Sequence, residues 1–540
     1  MEAKYIFGID LGTTYSVISY LDENLLIQTC RNDKGSDITP SVVDLSDVNP
    51  LVGQDAKDNK VFYPHSVLDF FKREMGQGHS AKYYGENFDK ETTAIDLSAE
   101  VLKYLAKYAS DSTGSKVGVV VITVPAYFGT EQKEATKEAA EKAGFDSVHL
   151  IEEPTAAAVY YGYKGDKKET VLVYDLGGGT FDVVAVEIDG YNYDCFAVEG
   201  DEQLGGKDWD SCMQEIIKRK LVDAGIDEGD LDDEDIAEIA LKAEKAKQAL
   251  TSQMTTDIKF KLNAGRAQFE VTRQEFEAET KSLLDRTIAT TRSVKETAEA
   301  KGKKITKILM VGGSSYMPQV QERLTAEFPD VEVPNPMDPN MAVSKGAAYY
   351  GKAILGRIVP PPPAPTPIPG GNPVPPQNEI GELKFELTSS EKEVAKHYEG
   401  IEIPAGEIIS ISKVSVSSIG LKGVSNGKQI IMTILKRGDK LPITSDLDIP
   451  IAAEAIAIGC VDLQLFEHRL EDTYVDLDDT SAQLKEMQKQ SGNISKGLPT
   501  GSKMHIHMTI DEEGLLKLTA TDPNGVAIEL EATAEAKSAD

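Results

Sequence analysis

Two short segments of this chain carry the residue types that phosphate and metal chemistry requires: Ile9-Asp10-Leu11-Gly12-Thr13-Thr14 and Asp175-Leu176-Gly177-Gly178-Gly179-Thr180. In each, an aspartate closes an apolar run, glycine follows, and threonine ends the turn. Glycine lets several backbone N–H groups crowd around one anion, because no Cβ stands in the way. A threonine hydroxyl adds a donor, and a carboxylate at a strand end holds a divalent cation, commonly through its water. The flanking runs read as strands: Tyr5 to Ile9 and Val17 to Leu21 around the first turn, Val171 to Tyr174 and Val183 to Ile188 around the second. Strand–turn–strand is not the order of a Walker loop, which opens a helix and carries Gly-Lys-Ser/Thr. One such turn is compatible with a plain hairpin. Two predict a duplicated domain that grips the phosphate tail of a nucleotide from both sides.

Holding two such loops in place takes alternating strands and helices, and residues 1 to about 355 show that α/β pattern. Thr130 to Gly144 has helical grammar, with Thr130 as N-cap, alanines at helical spacing and Gly144 as the stop. The composition then breaks: ten of the twenty residues from Arg357 to Pro376 are proline. Such a run forms neither helix nor ladder and extends as a spacer of roughly 60–70 Å. Beyond it, Leu383 to Leu530 alternates β-branched and polar residues, as in His505-Ile506-His507-Met508-Thr509-Ile510 and Leu516-Lys517-Leu518-Thr519-Ala520. Turns at Glu512-Glu513-Gly514 and Pro523-Asn524-Gly525 separate these strands. Only Ser481 to Gln490 reads as helical in this mostly β half. His505 and His507 share a strand face; with no cysteine nearby, they read as a polar face rather than a metal site.

Bulk properties narrow the class. At 540 residues several domains are expected. A formal charge of −32 opposes nucleic acid and anionic membranes as partners. The acidic stretch from Asp227 to Glu238 reads as a solvated face. Four scattered cysteines, Cys30, Cys195, Cys212 and Cys460, lack metal-ligand spacing and suit a reducing compartment. No apolar leader precedes the first strand and no run approaches a membrane span, so a soluble, cytoplasmic protein is expected.

The first 355 residues resemble the ATPase domain of the seventy-kilodalton heat-shock chaperones, the DnaK family. The segments that carry the resemblance are Gly8 to Thr14, Val124-Pro125-Ala126-Tyr127-Phe128, Glu153-Pro154-Thr155-Ala156-Ala157-Ala158, Asp175 to Asp182, Leu204-Gly205-Gly206 and Val311-Gly312-Gly313-Ser314. The resemblance implies an α/β actin-like fold (a ribonuclease H-like duplication) over residues 1–356, binding ATP or ADP with Mg²⁺ and admitting K⁺. It implies that Asp10 and Asp175 hold the metal through water. Gly12, Thr13, Thr14, Tyr15 and Gly177, Gly178, Gly179 would bind phosphate, with Lys72 reaching the γ-phosphate and Thr180 beside it. Glu153 and Asp182 would lie near the metal and the attacking water. Gly205, Gly206, Glu244, Lys247, Gln248, Thr251, Gly312, Gly313, Ser314, Tyr316 and Asn340 would line the nucleotide site. The spacing of Glu244, Lys247, Gln248 and Thr251 puts them on one helix face. Tyr316 and Gln248 stand where the family has arginine, and a tyrosine can still stack on adenine. Pro125 and Lys133 match residues that relay nucleotide state to a second domain.

After a proline-rich linker (357–379), residues 380–540 form a mostly β domain, faintly similar to the family's sandwich-like peptide-binding domain. The similarity rests on Leu435 to Pro442, Leu463 to Glu467 and Ile510 to Ala520. The linker composition predicts separated halves with weakened coupling, and the absence of a helical segment after the β domain predicts fast release of peptide. The resemblance thus points to a heat-shock-type ATPase that binds exposed apolar segments of unfolded proteins, with a J-domain co-chaperone and a nucleotide exchange factor as implied partners, and no nucleic acid or membrane. Two alternatives remain open: a nucleotide-sensing adaptor whose β domain holds one dedicated partner, and a small-molecule kinase of the same fold.

Overall fold

The computed structural model describes residues 1–76, 83, 91–336, 338–359, 387–399, 401, 407–425, 428–487 and 489–532. Two sheets with matching connectivity frame the N-terminal half. One runs Ile27–Thr29, Tyr15–Leu21, Ile6–Asp10, Val119–Val124, Ser147–Glu152; the other includes Asn192–Asp201, Phe181–Asp189, Lys168–Leu176, Lys307–Val311. In both, the strand bearing the key aspartate pairs antiparallel with the strand after its glycine turn and parallel with its other neighbour. The twin loops therefore belong to twin sheets. Strands such as Val119–Val124 are buried at every residue, which is why they read as unbroken apolar runs.

Helices Glu153–Tyr161 and Ala342–Ile358 fill the space between the sheets. Small residues allow the close approach. A Cβ on Gly8 would overlap the Ala348 backbone, and one on Gly346 would overlap the Ala156 carbonyl. The spacing of the sheets, and so of the two loops, is set by these contacts.

The expected helix after Phe128 spans Thr130–Lys142, but Gly129 is its N-cap and Thr130 its first residue. The Thr130 N–H is satisfied instead by Glu467 Oε1, 2.9 Å away, from the β-rich half. Helix Ala342–Ile358 includes Arg357 and Ile358, which the composition assigns to the linker. Residues 360–386, with the expected extended spacer, lie outside the described residues.

Separation of the halves is not what the described residues show. Strand Ser410–Val414 adds in parallel to the edge strand Asn192–Asp201 of the second sheet, and pairs on its other side with Lys440–Leu441. An open strand edge is a ready template for such an addition. Ion pairs Lys413–Glu152 (2.7 Å), Arg437–Glu199 (2.7 Å) and Lys137–Glu513 (2.6 Å) cross the same face. Lys413 is joined through Glu152 to Lys133, 3.2 Å from that carboxylate. Helix Ser389–His397, expected among the C-terminal residues, packs on the N-terminal half: Val394 and Tyr398 join the core between the two sheets.

The β-rich half shares one core among a five-stranded sheet centred on Ser418–Ser425, a four-stranded sheet containing Lys503–Ile510, and a three-stranded sheet through Gln490–Asn493. Ser481 to Gln490 is not helical. It contains a short 3₁₀ turn, Thr480–Ala482, then Lys485–Glu486, which pairs with Phe466 and Glu467, then the start of Gln490–Asn493. Sheet pairing outweighs a helix-favouring composition here. A helix occurs at Ala453–Ile458 instead. His505 and His507 lie on an exposed face, 3.0 and 2.8 Å from Asp448 and Asp446.

His149 is where three segments meet. Its ring lies 3.9 Å from Glu391 of helix Ser389–His397 and 3.6 Å from Glu513 of the β-rich half. Ser147 Oγ lies 3.2 Å from its Nε2, and Lys137 shares Glu513. Burial opposes charge on His149, but the two carboxylates outweigh it and raise its pKa. The His149 ring brings Glu391 down to about 2; burial works against the same drop in Glu513, yet His149 and Lys137 carry it to about 2. Both carboxylates stay ionised through the neutral range, so the pH dependence comes from histidine. A raised histidine pKa stabilises docking fully below its ordinary value of about 6.5 and loses that contribution as pH rises through the raised value. We predict that hydrogen exchange of the Ser410–Val414 amides, corrected for intrinsic rate, increases roughly five-fold from pH 6 to 8.5, as suits a screened pair worth on the order of 1 kcal/mol. His149→Gln should be flat across that range; an unchanged pH profile in the variant would remove His149 from the account.

Candidate functional site

Asp10 ends its strand and Asp175 nearly ends its own, so each carboxylate sits at the mouth of its glycine turn. The turns face one another at contact distance. A Cβ on Gly178 would overlap the Thr14 side chain, and one on Gly179 would overlap Thr13. Glycine is thus required by the opposing loop as well as by any anion. Between and beyond the loops lies a cleft of about 370 Å³.

The carbonyls of the second loop are all engaged on its outer side. Gly177 O accepts from Gly206 N and Ser314 Oγ, both at 2.9 Å. Gly178 O accepts from Lys207 N at 2.8 Å, and Gly179 O from Arg73 Nε at 2.8 Å. In a trans peptide the C=O and the following N–H point opposite ways. The N–H groups of Gly178, Gly179 and Thr180 are therefore turned away from those partners and left for an anion. Gly205 and Gly206 start helix Gly206–Asp223 against this loop; a Cβ on Gly205 would come within 2.6 Å of Gly179.

Four carboxylates, Asp10, Glu153, Asp175 and Asp182, gather around Lys72. Lys72 is 4% exposed and donates to Glu153 Oε1 at 2.6 Å. Asp182 Oδ1 accepts the Tyr127 N–H at 3.0 Å. Burial, then the neighbouring Glu153, push Asp10 up to about 7. Burial, then Glu153, Asp182 and Asp10, raise Asp175 well above the carboxylate range, and burial with Glu153 does the same to Asp182. Asp175 Oδ2 and Thr14 Oγ1 are buried without a hydrogen-bond partner. Unpaired buried polar atoms and like charges at one point are costly unless a cation and an anion complete them. The residues fit Mg²⁺ with a phosphate chain. Among the described residues no group of three or more such side chains is arranged to hold a metal ion directly.

The far end of the cleft is lined by Tyr15, Glu244, Lys247, Gln248, Thr251, Gly312, Gly313, Ser314, Tyr316 and Asn340. Gly312 has φ 81° and lies against the Leu176 carbonyl, where a Cβ would overlap. Tyr316 is 46% exposed at the rim. Lys247 is occupied: its Nζ lies 2.8 Å from Asp210 and 3.0 Å from Gly206 O. Lys72, Gly179, Asp182, Gly205 and Gly206 stand behind the cleft wall rather than on it, at the contacts given above. Pro125 follows strand Val119–Val124, and Lys133 belongs to the docking face.

Sequence reasoning missed Lys57. From the short helix Gln54–Asp58 it reaches across the cleft to Glu244 Oε2 (2.5 Å) and Tyr15 Oη (3.0 Å), and Tyr15 donates to Glu244 Oε1 at 2.8 Å. It also missed Tyr127 and Arg73. Tyr127 lies in the Val124 to Phe128 segment that carries the resemblance but was given no role there; Lys57 and Arg73 act on residues far along the chain and no local signal marks them.

A family model described as Hsp70 protein matches residues 6–359. The protein named Chaperone protein DnaK of Mycoplasmoides gallisepticum is 37% identical over 366 residues, covering 65% of this chain and 60% of that protein. Proteins of the same name from Halobacterium salinarum and Mycoplasma mycoides subsp. mycoides are 36% and 39% identical over 368 residues. Each of these two matches covers 66% of this chain, with 57% and 61% of the relative. The chain thus spans about three fifths of the length of the curated relatives it matches.

The Lys57 contact ties together Tyr15 and Glu244, two residues that line the cleft. We predict that Lys57→Ala speeds dissociation of bound fluorescent ADP on the order of ten-fold, as losing a largely buried charged hydrogen bond should. Stopped-flow displacement checks this; an unchanged off-rate would mean that the clamp does not gate the cleft.

Proposed function

The chain belongs to the Hsp70 family, and from that membership we propose that it binds ATP with Mg²⁺ and hydrolyses it to ADP and phosphate. The reading also makes it a cytoplasmic chaperone whose β-rich half binds exposed apolar segments of unfolded proteins. The family implies an actin-like fold for the N-terminal half. The observation that carries the reading is the pair of unpartnered buried atoms, Thr14 Oγ1 and Asp175 Oδ2, where two glycine loops meet beside four carboxylates and one lysine.

Hydrolysis needs the terminal phosphate immobilised, its growing charge neutralised and a water aligned. The N–H groups of the second loop, with Thr13, Thr14 and Thr180, supply donors for phosphate oxygens. Lys72, already placed by Glu153, supplies the mobile positive charge. Mg²⁺, held through water by Asp10 and Asp175, would neutralise phosphate charge and fix the chain's orientation. Glu153 and Asp182 are the acceptors available to orient the attacking water.

Coupling between the halves is supported by the docking face rather than weakened. Arg469 of the β-rich half lies 3.6 Å over the Tyr127 ring, and the Tyr127 N–H holds Asp182. Unfolded polypeptides, with a J-domain protein and an exchange factor, are the proposed partners. The absence of a membrane-crossing helix among the described residues and four free cysteines are in keeping with that setting.

The test is ATP turnover and release of a fluorescent apolar peptide, in ATP against ADP. We expect Lys72→Ala to lower turnover at least 100-fold, the loss of one strongly stabilising charge in the transition state, and to abolish faster release in ATP. Turnover in Lys72→Ala equal to the parent would discard the catalytic assignment. Hydrolysis without any peptide binding would favour the adaptor reading instead.

A further inference from the structure

We propose that Arg73 is a positioning residue for hydrolysis: it locks the last peptide of the second phosphate loop to the turn that carries Lys72. This rests on the ATP reading above. Phe71–Glu74 is a single 3₁₀ turn whose two central residues point to different tasks. Lys72 enters the carboxylate cluster. Arg73, with an 8% exposed side chain, crosses to the other half of the domain.

There its Nε donates to Gly179 O at 2.8 Å. Its Nη1 and Nη2 reach Asp208 Oδ1 and Oδ2 at 3.3 and 2.6 Å. Asp208 in turn accepts the Gly205 N–H on Oδ2 at 2.8 Å, capping helix Gly206–Asp223. One guanidinium therefore holds both the loop and the helix start stacked beneath it. Only the planar fork of arginine supplies these parallel donors; lysine presents one compact charge.

The consequence for chemistry lies in the Gly179–Thr180 peptide. With its carbonyl fixed by Arg73, the Thr180 N–H is fixed in the opposite direction, on the residue placed beside the terminal phosphate. The same turn sets where Lys72 stands. Arg73 thus fixes the distance between a donor of the second sheet's loop and a cation of the first sheet's side. The contacts given above are all to protein groups, the Gly179 carbonyl and the Asp208 carboxylate. Such a group should affect the triphosphate and its transition state more than the diphosphate, because only the former reaches both partners.

The experiment uses the full chain with Arg73→Ala and the milder Arg73→Lys, beside the parent. It measures single-turnover hydrolysis, affinity for ADP and for the β,γ-imido analogue of ATP, and thermal melting. Trp209, buried next to Asp208, reports binding by fluorescence. Expected is a ~10- to 100-fold lower hydrolysis rate in both variants, the scale of one lost charged hydrogen bond, with ADP affinity held within about three-fold. Rates within two-fold of the parent overturn the proposal. So does a fall in ADP affinity and melting temperature that matches the fall in rate in Arg73→Lys, since that marks a general scaffold role. If the parent binds nucleotide without turning it over, the hydrolysis reading fails separately. Arg73 is then judged on the ratio of imido-ATP to ADP affinity: a drop of five-fold or more in Arg73→Lys supports it and an unchanged ratio overturns it. A parent that binds neither nucleotide overturns both.

Discussion

Four clustered carboxylates, three of them buried, cannot share one lysine unless something else brings positive charge, and much of the N-terminal half is arranged around that imbalance. Asp10 comes from the first sheet, Asp175 and Asp182 from the second, and Glu153 from the helix between them. In water these groups would separate; here the strands hold them. Repulsion and desolvation appear as raised pKa values on Asp10, Asp175 and Asp182. On the proposed reading, a cation and the phosphates it accompanies would offset that crowding.

That arrangement demands close tolerances elsewhere. The two loops touch through Gly178 and Thr14 and through Gly179 and Thr13, so a small shift of one sheet against the other would part them. The helices between the sheets resist such a shift because they meet through Gly346 and Ala156, backbone against backbone. Interiors packed to this density move as rigid layers rather than deform. Lys57 and Arg73 are side-chain cross-links between distant segments around these loops, Lys57 to Glu244 and Arg73 to Gly179 and Asp208.

The segments legible in the sequence were those whose chemistry is contiguous. Aspartate, glycine and threonine in one turn announce themselves, and so does a strand of unbroken valines such as Val119–Val124. Lys57 and Arg73 were illegible because their partners lie tens to hundreds of positions away and nothing local distinguishes them from any surface residue, and the Tyr127 contact to Asp182 was illegible for the same reason of distance. The Ser481–Gln490 stretch shows the opposite failure. Its Gln, Lys, Glu and Met content favours helix locally, yet Lys485–Glu486 is held by the backbone of Phe466 and Glu467. The proline-rich run was legible as a break in composition, but the docking of the residues beyond it was not. Ser410–Val414 carries alternating polarity suited to any edge strand, and its partner, Asn192–Asp201, is specified only by the shape of the second sheet.

That added strand bears on how the halves communicate. Contiguous contacts transmit a change of state only if some element along them has two arrangements. Three register pairs join Ser410–Val414 to Asn192–Asp201, few enough to be made and broken as a unit. Around this strand lie Lys413 on Glu152, Glu467 on the N-terminus of helix Thr130–Lys142, and Arg469 on Tyr127. Two of these end one step from the site. Glu152 precedes Glu153, and the Tyr127 N–H binds Asp182. Undocking the strand would remove a cation from beside Glu152 and the cover from Tyr127 together. A change in the carboxylate cluster would be felt along the same bonds in reverse, since linkage between two sites is reciprocal. The contacts that hold the β-rich half in place thus end one step from the carboxylate cluster, at Glu152 and at Tyr127.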